Sequence, residues 1–194
     1  MLESHKEYEK LTFSNIDASA QIITSSNFSH CTFKNCNFFQ ANLSDSTFTD
    51  CTFTHCNMSM MGLKGVRLDT VVFTQCKLLC NNFELCTFDL CFSAHFIQCV
   101  LELTNFSGAK IQGCNFNGST FKKASFIRTK MTKCDFSDCD FEEANFDNAD
   151  LSESNFTHAI NYIIDPTKNK LRKTVFSMPE VVGLLSNLDI IIKH

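Results

Sequence analysis

From Ile23 to Phe156, every fifth residue of this 194-residue chain is a large hydrophobe. The register reads Phe28, Phe33, Phe38, Leu43, Phe48, Phe53, Met58, Leu63, Leu68, Phe73, Leu78, Phe83 and Phe88. It resumes at Phe96, Leu101, Phe106, Ile111, Phe116, Phe121, Phe126, Met131, Phe136, Phe141, Phe146, Leu151 and Phe156. With Ile23 that makes 27 positions and one slip. A period of five fits neither the 3.6 of a helix nor the 2.0 of a strand. The repeat therefore specifies an architecture of its own and is settled before any local element.

Composition points the same way. Phe occurs 21 times against two Tyr and no Trp, and 17 of those Phe lie on the register. Phe is the aromatic with no polar group to satisfy, so the bias reads as packing. The length suits one domain.

Twelve cysteines raise the question of disulfides or a metal site. Ten of them, Cys31, Cys36, Cys51, Cys56, Cys76, Cys86, Cys99, Cys114, Cys134 and Cys139, precede a register hydrophobe by two residues. Elsewhere that position carries mainly Ala, Ser, Thr or Val, as at Ala41, Ser46, Ala124, Ala144 and Ala149. Cysteine there reads as a small buried thiol. Zinc would need four converging ligands, whereas the Cys pairs share the repeat spacing. No metal and no cofactor is expected.

With the register hydrophobe called i, position i−2 is small and i−1 is often Asn, Thr or Asp. Positions i+1 and i+2 are mainly polar. Ala144-Asn145-Phe146-Asp147-Asn148 and Ala149-Asp150-Leu151-Ser152-Glu153 are typical. This pattern resembles the A(D/N)LXX motif of the pentapeptide-repeat family, over about 70 % of the chain. The resemblance implies an all-β fold: a right-handed quadrilateral β-helix with four pentapeptides per 20-residue coil, i and i−2 pointing inward. About seven coils at strand spacing would give a rod of roughly 30–35 Å. Stacked coils pool hydrophobes that no single repeat can bury.

The slip places three extra residues between Phe88 and Phe96. Its residues 89–95 include Leu, Cys and Phe and read as a bulge that packs inward. Residues 1–22 read as an N-terminal capping segment, with residues 1–10 frayed or helical. The repeats occupy 23–160, and 161–194 read as a strand–helix–strand cap. In that cap, Leu171 to Phe176 suggests a short strand. Ser177-Met178-Pro179-Glu180 matches a capping box. A helix of about ten residues should follow, then a terminal strand from Asp189. The apolar residues Val181, Val182, Leu184, Leu185, Leu188, Ile190, Ile191 and Ile192 must find cover. The tail resembles that of Qnr-type and mycobacterial members, which implies a homodimer joined end to end.

That resemblance implies one concrete function. Some members bind type II topoisomerases as DNA mimics and so modulate quinolone susceptibility, and DNA gyrase or topoisomerase IV would be the partner. Mimicry needs acids spaced like phosphates. Between Met131 and Ile160 stand Asp135, Asp138, Asp140, Glu142, Glu143, Asp147, Asp150 and Glu153, opposed only by Lys133. A 20-residue coil would, however, set Lys122 beside Glu142, Lys123 beside Glu143, Lys130 beside Asp150 and Lys133 beside Glu153. Asp135, Asp138, Asp140 and Asp147 would have no cation beside them. A binding scaffold for another protein is the alternative reading. Catalysis is the third and is disfavoured: the six His are scattered, and no phosphate loop or zinc-protease motif is present. Direct nucleic-acid binding is not expected, because acids offset the one basic cluster. No secretory signal opens the chain and no apolar run reaches membrane-spanning length, so a cytoplasmic, non-membrane protein is expected.

Overall fold

A computed structural model describes residues 2–88 and 93–191. The chain winds as a parallel β-solenoid of short strands. β1 (Glu7–Glu9), β3 (Asn27–Ser29), β5 (Thr47–Thr49) and β7 (Arg67–Asp69) stack on one face. β2 (Thr12–Ser14), β4 (Thr32–Lys34), β6 (Thr52–Thr54), β8 (Val71–Thr74) and β9 (Ala94–Ile97) stack on the next. Lower down, β10 (Lys110–Gln112) pairs with β11 (Lys130–Thr132), and β12 (Asn155–Phe156) with β13 (Val175–Phe176). The other two faces are joined by single bridges such as Asn37↔Asn57 and Asn105↔Ser125. Partners lie 20 residues apart, Phe33↔Phe53 for example, until the slip makes the interval 23 at Phe73↔Phe96.

This register stacks the inward side chains in columns. One column is phenylalanine throughout: Phe13, Phe33, Phe53, Phe73, Phe96, Phe116, Phe136, Phe156 and Phe176, with successive ring centroids 4.5–5.3 Å apart. Parallel offset rings favour this spacing. Eight intervals at strand spacing give about 38 Å, longer than the repeat pattern alone suggested. The excess lies at both ends. Residues 7–9 form β1, and Tyr8 stacks on Phe28, so the start of the chain is not helical. At the other end Leu171 and Phe176 rejoin the core.

The period of five comes from the corners. Almost every i+2 residue is left-handed, with φ between 50° and 63° at the non-glycine i+2 corners, including β-branched Thr70 and apolar Met60 and Leu103. Positive φ in the third position turns the chain while i and i−2 remain inside. At many corners the turn is closed by a bond such as Ala124 N–H to Phe121 C=O, 2.9 Å, the type II arrangement.

At other corners the i−2 amide finds a side chain in the coil below. Cys99 N–H donates to Ser119 Oγ at 2.9 Å, and that hydroxyl donates to Phe96 C=O at 2.8 Å. Cys36 N–H and Cys56 N–H donate in the same way to Cys56 Sγ and Cys76 Sγ, both at 3.4 Å. The small i−2 residues are thus also hydrogen-bond relays for buried amides. All ten i−2 cysteines are buried and unbridged, while Cys80 is exposed. Burial pushes the thiols of Cys51, Cys86 and Cys139 up to about 12 and that of Cys114 to about 11.

Of the irregular segments, the slip is described only at its edge, and the expected helix and terminal strand change. Ser93 donates to Leu68 C=O and Ala94 opens β9, so the slip falls where the β1-β3-β5-β7 stack ends. The inward packing expected of 89–95 rests on residues 89–92, outside the described residues. The ten-residue helix is a 3-10 helix of five residues, Glu180–Leu184, and Pro179 caps it with no side-chain bond. Ser177 does not form the capping box; its Oγ instead accepts from His158 N–H at 2.8 Å. No strand forms at 189–191, where Ile190 N–H bends back to Leu188 C=O at 2.8 Å. Ile192 lies outside the described residues.

Candidate interaction surfaces

The eight acids all point outward, but three are built into the turns. Asp135, Asp140 and Asp150 sit at i−1 and accept from the amide two residues on, Ser137, Glu142 and Ser152, at 3.1, 3.1 and 3.2 Å. Asn42 and Asn145 do the same elsewhere. This is the local turn chemistry of Asx residues, and it explains the Asn/Asp preference at i−1.

The cations fall partly where the coil offset placed them. Lys122 meets Glu142 at 2.8 Å and Lys123 meets Glu143 at 3.5 Å. Lys130 does not close on Asp150; Lys170 of the coil below approaches it instead, at 4.0 Å. Lys133 and Glu153 form no ion pair among the described residues. Of the four acids expected to have no cation beside them, only Asp147 meets a lysine among the described residues, and the other three have amide or imidazole partners. Asp147 lies 3.9 Å from Lys168, and Asp138 accepts from Asn117 Nδ2 at 3.0 Å and lies 3.6 Å from His158. Asp135 accepts from Asn155 and Asp140 from Asn161. Several of these contacts reach diagonally, 21 residues along the chain, which a strict 20-residue offset overlooks. Glu153 alone of the eight has no side-chain partner among the described residues. Such exposed pairs cancel local field more than they add stability.

At the C-terminal end Tyr162 and Phe176 close the core beneath Phe156, and Leu184 packs against them from the tail. Gly183 lies so close to the Tyr162 carbonyl that any Cβ would collide with it. The Tyr162 hydroxyl is buried without a hydrogen-bond partner among the described residues, and burial pushes it up to about 12. Val181 is half-buried, whereas Val182, Leu185, Leu188, Ile190 and Ile191 are exposed, Ile191 to 90 %.

An interior void beside Leu63 and Phe73 measures about 10 Å³, the room of a single water at most. Among the described residues no three His, Cys, Asp or Glu converge as a metal site would require. No helix among them is long and apolar enough to cross a membrane.

Comparison with known proteins agrees with this geometry. The family model for pentapeptide repeats in eight copies matches residues 22–59, and that for a pentapeptide repeat region matches 90–159, together more than half of the chain. No curated protein matches. Among solved structures, a trypsin-treated form of QnrB1, a plasmid-mediated fluoroquinolone resistance protein, is 21 % identical with a TM-score of 0.49, covering 100 % of both chains. Full-length QnrB1 is 17 % identical with a TM-score of 0.48, over 95 % of this chain and 100 % of that one. HetL, a pentapeptide repeat protein involved in heterocyst differentiation regulation in the cyanobacterium Nostoc sp. strain PCC 7120, is 12 % identical with a TM-score of 0.43, over 90 % and 87 %. From its repeats, its β-solenoid and the two family matches, the chain belongs to the pentapeptide-repeat family.

Proposed function

We propose that this chain is a non-catalytic protein-interaction rod that pairs with a second copy through its C-terminal end. The observation that supports this best is the group of exposed hydrophobes Val175, Met178, Val182, Leu185, Leu188, Ile190 and Ile191, each 38–90 % exposed. Single exposed hydrophobes are ordinary, but seven of them within residues 175–191 support an interface. The filled interior favours binding over catalysis, and unbridged cysteines suit a reducing cytoplasm. Sedimentation of the full chain should give a dimer mass. The triple variant Leu188→Glu, Ile190→Glu, Ile191→Glu, which alters only exposed side chains, should give a monomer. A monomer in both cases refutes the pairing.

A second reading has its own support. Eight acids concentrated on a rigid rod suit a DNA mimic that occupies the basic groove of a type II topoisomerase, DNA gyrase or topoisomerase IV. The test is a supercoiling assay with and without a quinolone. Reversing Asp138, Glu143 and Glu153 to Lys should abolish the effect without disturbing the turn caps at Asp135, Asp140 and Asp150. An enzyme indifferent to the unaltered protein under both conditions rules this reading out.

A further inference from the structure

The coil sorts by sign the charges that the sequence interleaves. Between residues 128 and 173 cations and acids are mixed along the chain. In space they separate. On the face of β10 and β11, Lys110 pairs in register with Lys130, and single bridges continue that column to Asp150 and Lys170. Lys133 N–H bonds to Ser152 C=O at 3.0 Å and Glu153 N–H to Arg172 C=O at 2.8 Å, which sets Lys133, Glu153 and Lys173 down one edge of the face. Arg128 stands at the other edge, in the corner two residues before Lys130. The face therefore carries seven cations against Asp150 and Glu153, a formal charge of +5 on a chain whose net charge is −4. The other six acids of the cluster project from the remaining three faces.

These cations are also unneutralised. Lys122 and Lys123, on another face, are each held by a glutamate of the coil below. By contrast Lys110, Arg128, Lys130, Lys133, Arg172 and Lys173 are all exposed and form no ion pair among the described residues. Lys170 approaches Asp150 only to 4.0 Å. Lys110 and Lys130 lie directly opposite each other in neighbouring strands, where like charges work against the fold. Folding gains nothing from that arrangement, whereas an anionic ligand would relieve it.

We propose that this basic face docks an acidic segment of a partner protein. The surface is separate from the apolar tail and from the acids of the topoisomerase reading. From Lys110 to Lys170 the column crosses three rung intervals, about 14 Å, which is the reach of about four extended residues. A short run of Asp and Glu matches a patch of that size. A nucleic acid matches it less well. Its phosphates continue past the patch and would run on over the acidic faces of the same rod. The four rungs of this face, 108–113, 128–133, 148–153 and 168–173, contain no aromatic residue on which a base could stack. Complementary charge of this kind steers encounter and fixes orientation.

An NMR titration of the full chain with an oligoglutamate peptide tests this. It is run at physiological ionic strength, where charges more than about 8 Å apart are largely screened. The backbone amide signals of 110–112 and 130–132 should shift saturably. The double variant Lys110→Glu, Lys130→Glu should bind at least about tenfold more weakly. The double variant Lys64→Glu, Lys77→Glu makes the same change in net charge on two other faces and should bind within about twofold of the unaltered chain. Equal weakening by the two variants means that net charge alone is read and overturns the proposal. So does the absence of saturable shifts on β10 and β11 in the unaltered chain. A single-stranded oligonucleotide, or a phosphatidylserine vesicle, that binds this face more tightly than the peptide overturns the assignment to an acidic protein segment.

Discussion

Ser119 offers the sharpest test of why the i−2 position is what it is. Its hydroxyl accepts the Cys99 amide at 2.9 Å and donates to the Phe96 carbonyl at 2.8 Å, and the residue is fully buried. Ser119→Ala keeps the size and the turn, because Ser119 N–H still reaches Phe116 C=O at 3.1 Å. It leaves a buried N–H with no acceptor, which costs about 1–3 kcal/mol, and loses a second bond of about 1 kcal/mol. A loss of about 2–4 kcal/mol corresponds to a fall in Tm of about 4–16 °C at this chain length. Ser119→Cys preserves the relay, as Cys76 and Cys56 do two and three coils higher, and should cost less than half as much. Urea and thermal unfolding measure both variants. Solenoids unfold through neighbour coupling rather than as one unit, so exchange of the Cys99 amide should be followed alongside and should accelerate in the Ala variant only. If Ser119→Ala costs under about 0.5 kcal/mol, or if Cys is no better than Ala, the relay does not stabilise the coil and the position selects for size alone.

Alkaline pH should unfold this protein early. The thiols of Cys51, Cys86, Cys114 and Cys139 titrate well above their ordinary value when folded. Between about pH 9 and the folded values near 11–12 the unfolded chain has released protons that the folded chain keeps. Stability is therefore full below about pH 9 and falls as pH rises, with a slope of up to about 1.4 kcal/mol per unit for each such thiol; a flat stability profile from pH 8 to 11 would contradict the burial. Gly108→Ala should cost about 1 kcal/mol, through backbone strain alone, since φ is +70° and a Cβ there meets nothing within 4 Å. Gly183→Ala should cost more, because its Cβ would fall on the Tyr162 backbone carbonyl, which cannot rotate aside; equal melting temperatures for the two would refute that ranking. Replacing strained Thr70, φ 54°, by Gly should raise the melting temperature slightly.

The period of five residues was enough to name the fold, because only a coil with a corner every five residues can bring Phe28, Phe33 and Phe38 to one interior. Burial of the i−2 cysteines followed from the same pattern. The reason for Cys or Ser at i−2 did not: it depends on which corners leave an amide unpaired, and that is set between coils rather than within a repeat. The left-handed corners were signalled only in part: Gly65, Gly108, Gly113, Gly118, Asn35 and Asn148 mark some, while Lys, His, Leu and Met stand at others. In the tail, Ser177 and Glu180 carried a capping signal, yet Ser177 was taken by His158 across the end of the rod. The acids were visible as a cluster, but their meaning as turn caps or diagonal ion pairs depended on neighbours 20 and 21 residues away. By itself, the sequence determined the architecture, because one pattern repeated 27 times outweighs any local ambiguity. Only the tertiary structure decided where that architecture stops. The closing contacts of Tyr162, Phe176 and Leu184 and the exposed apolar tail arise from how a few non-repeating residues meet the end of the stack.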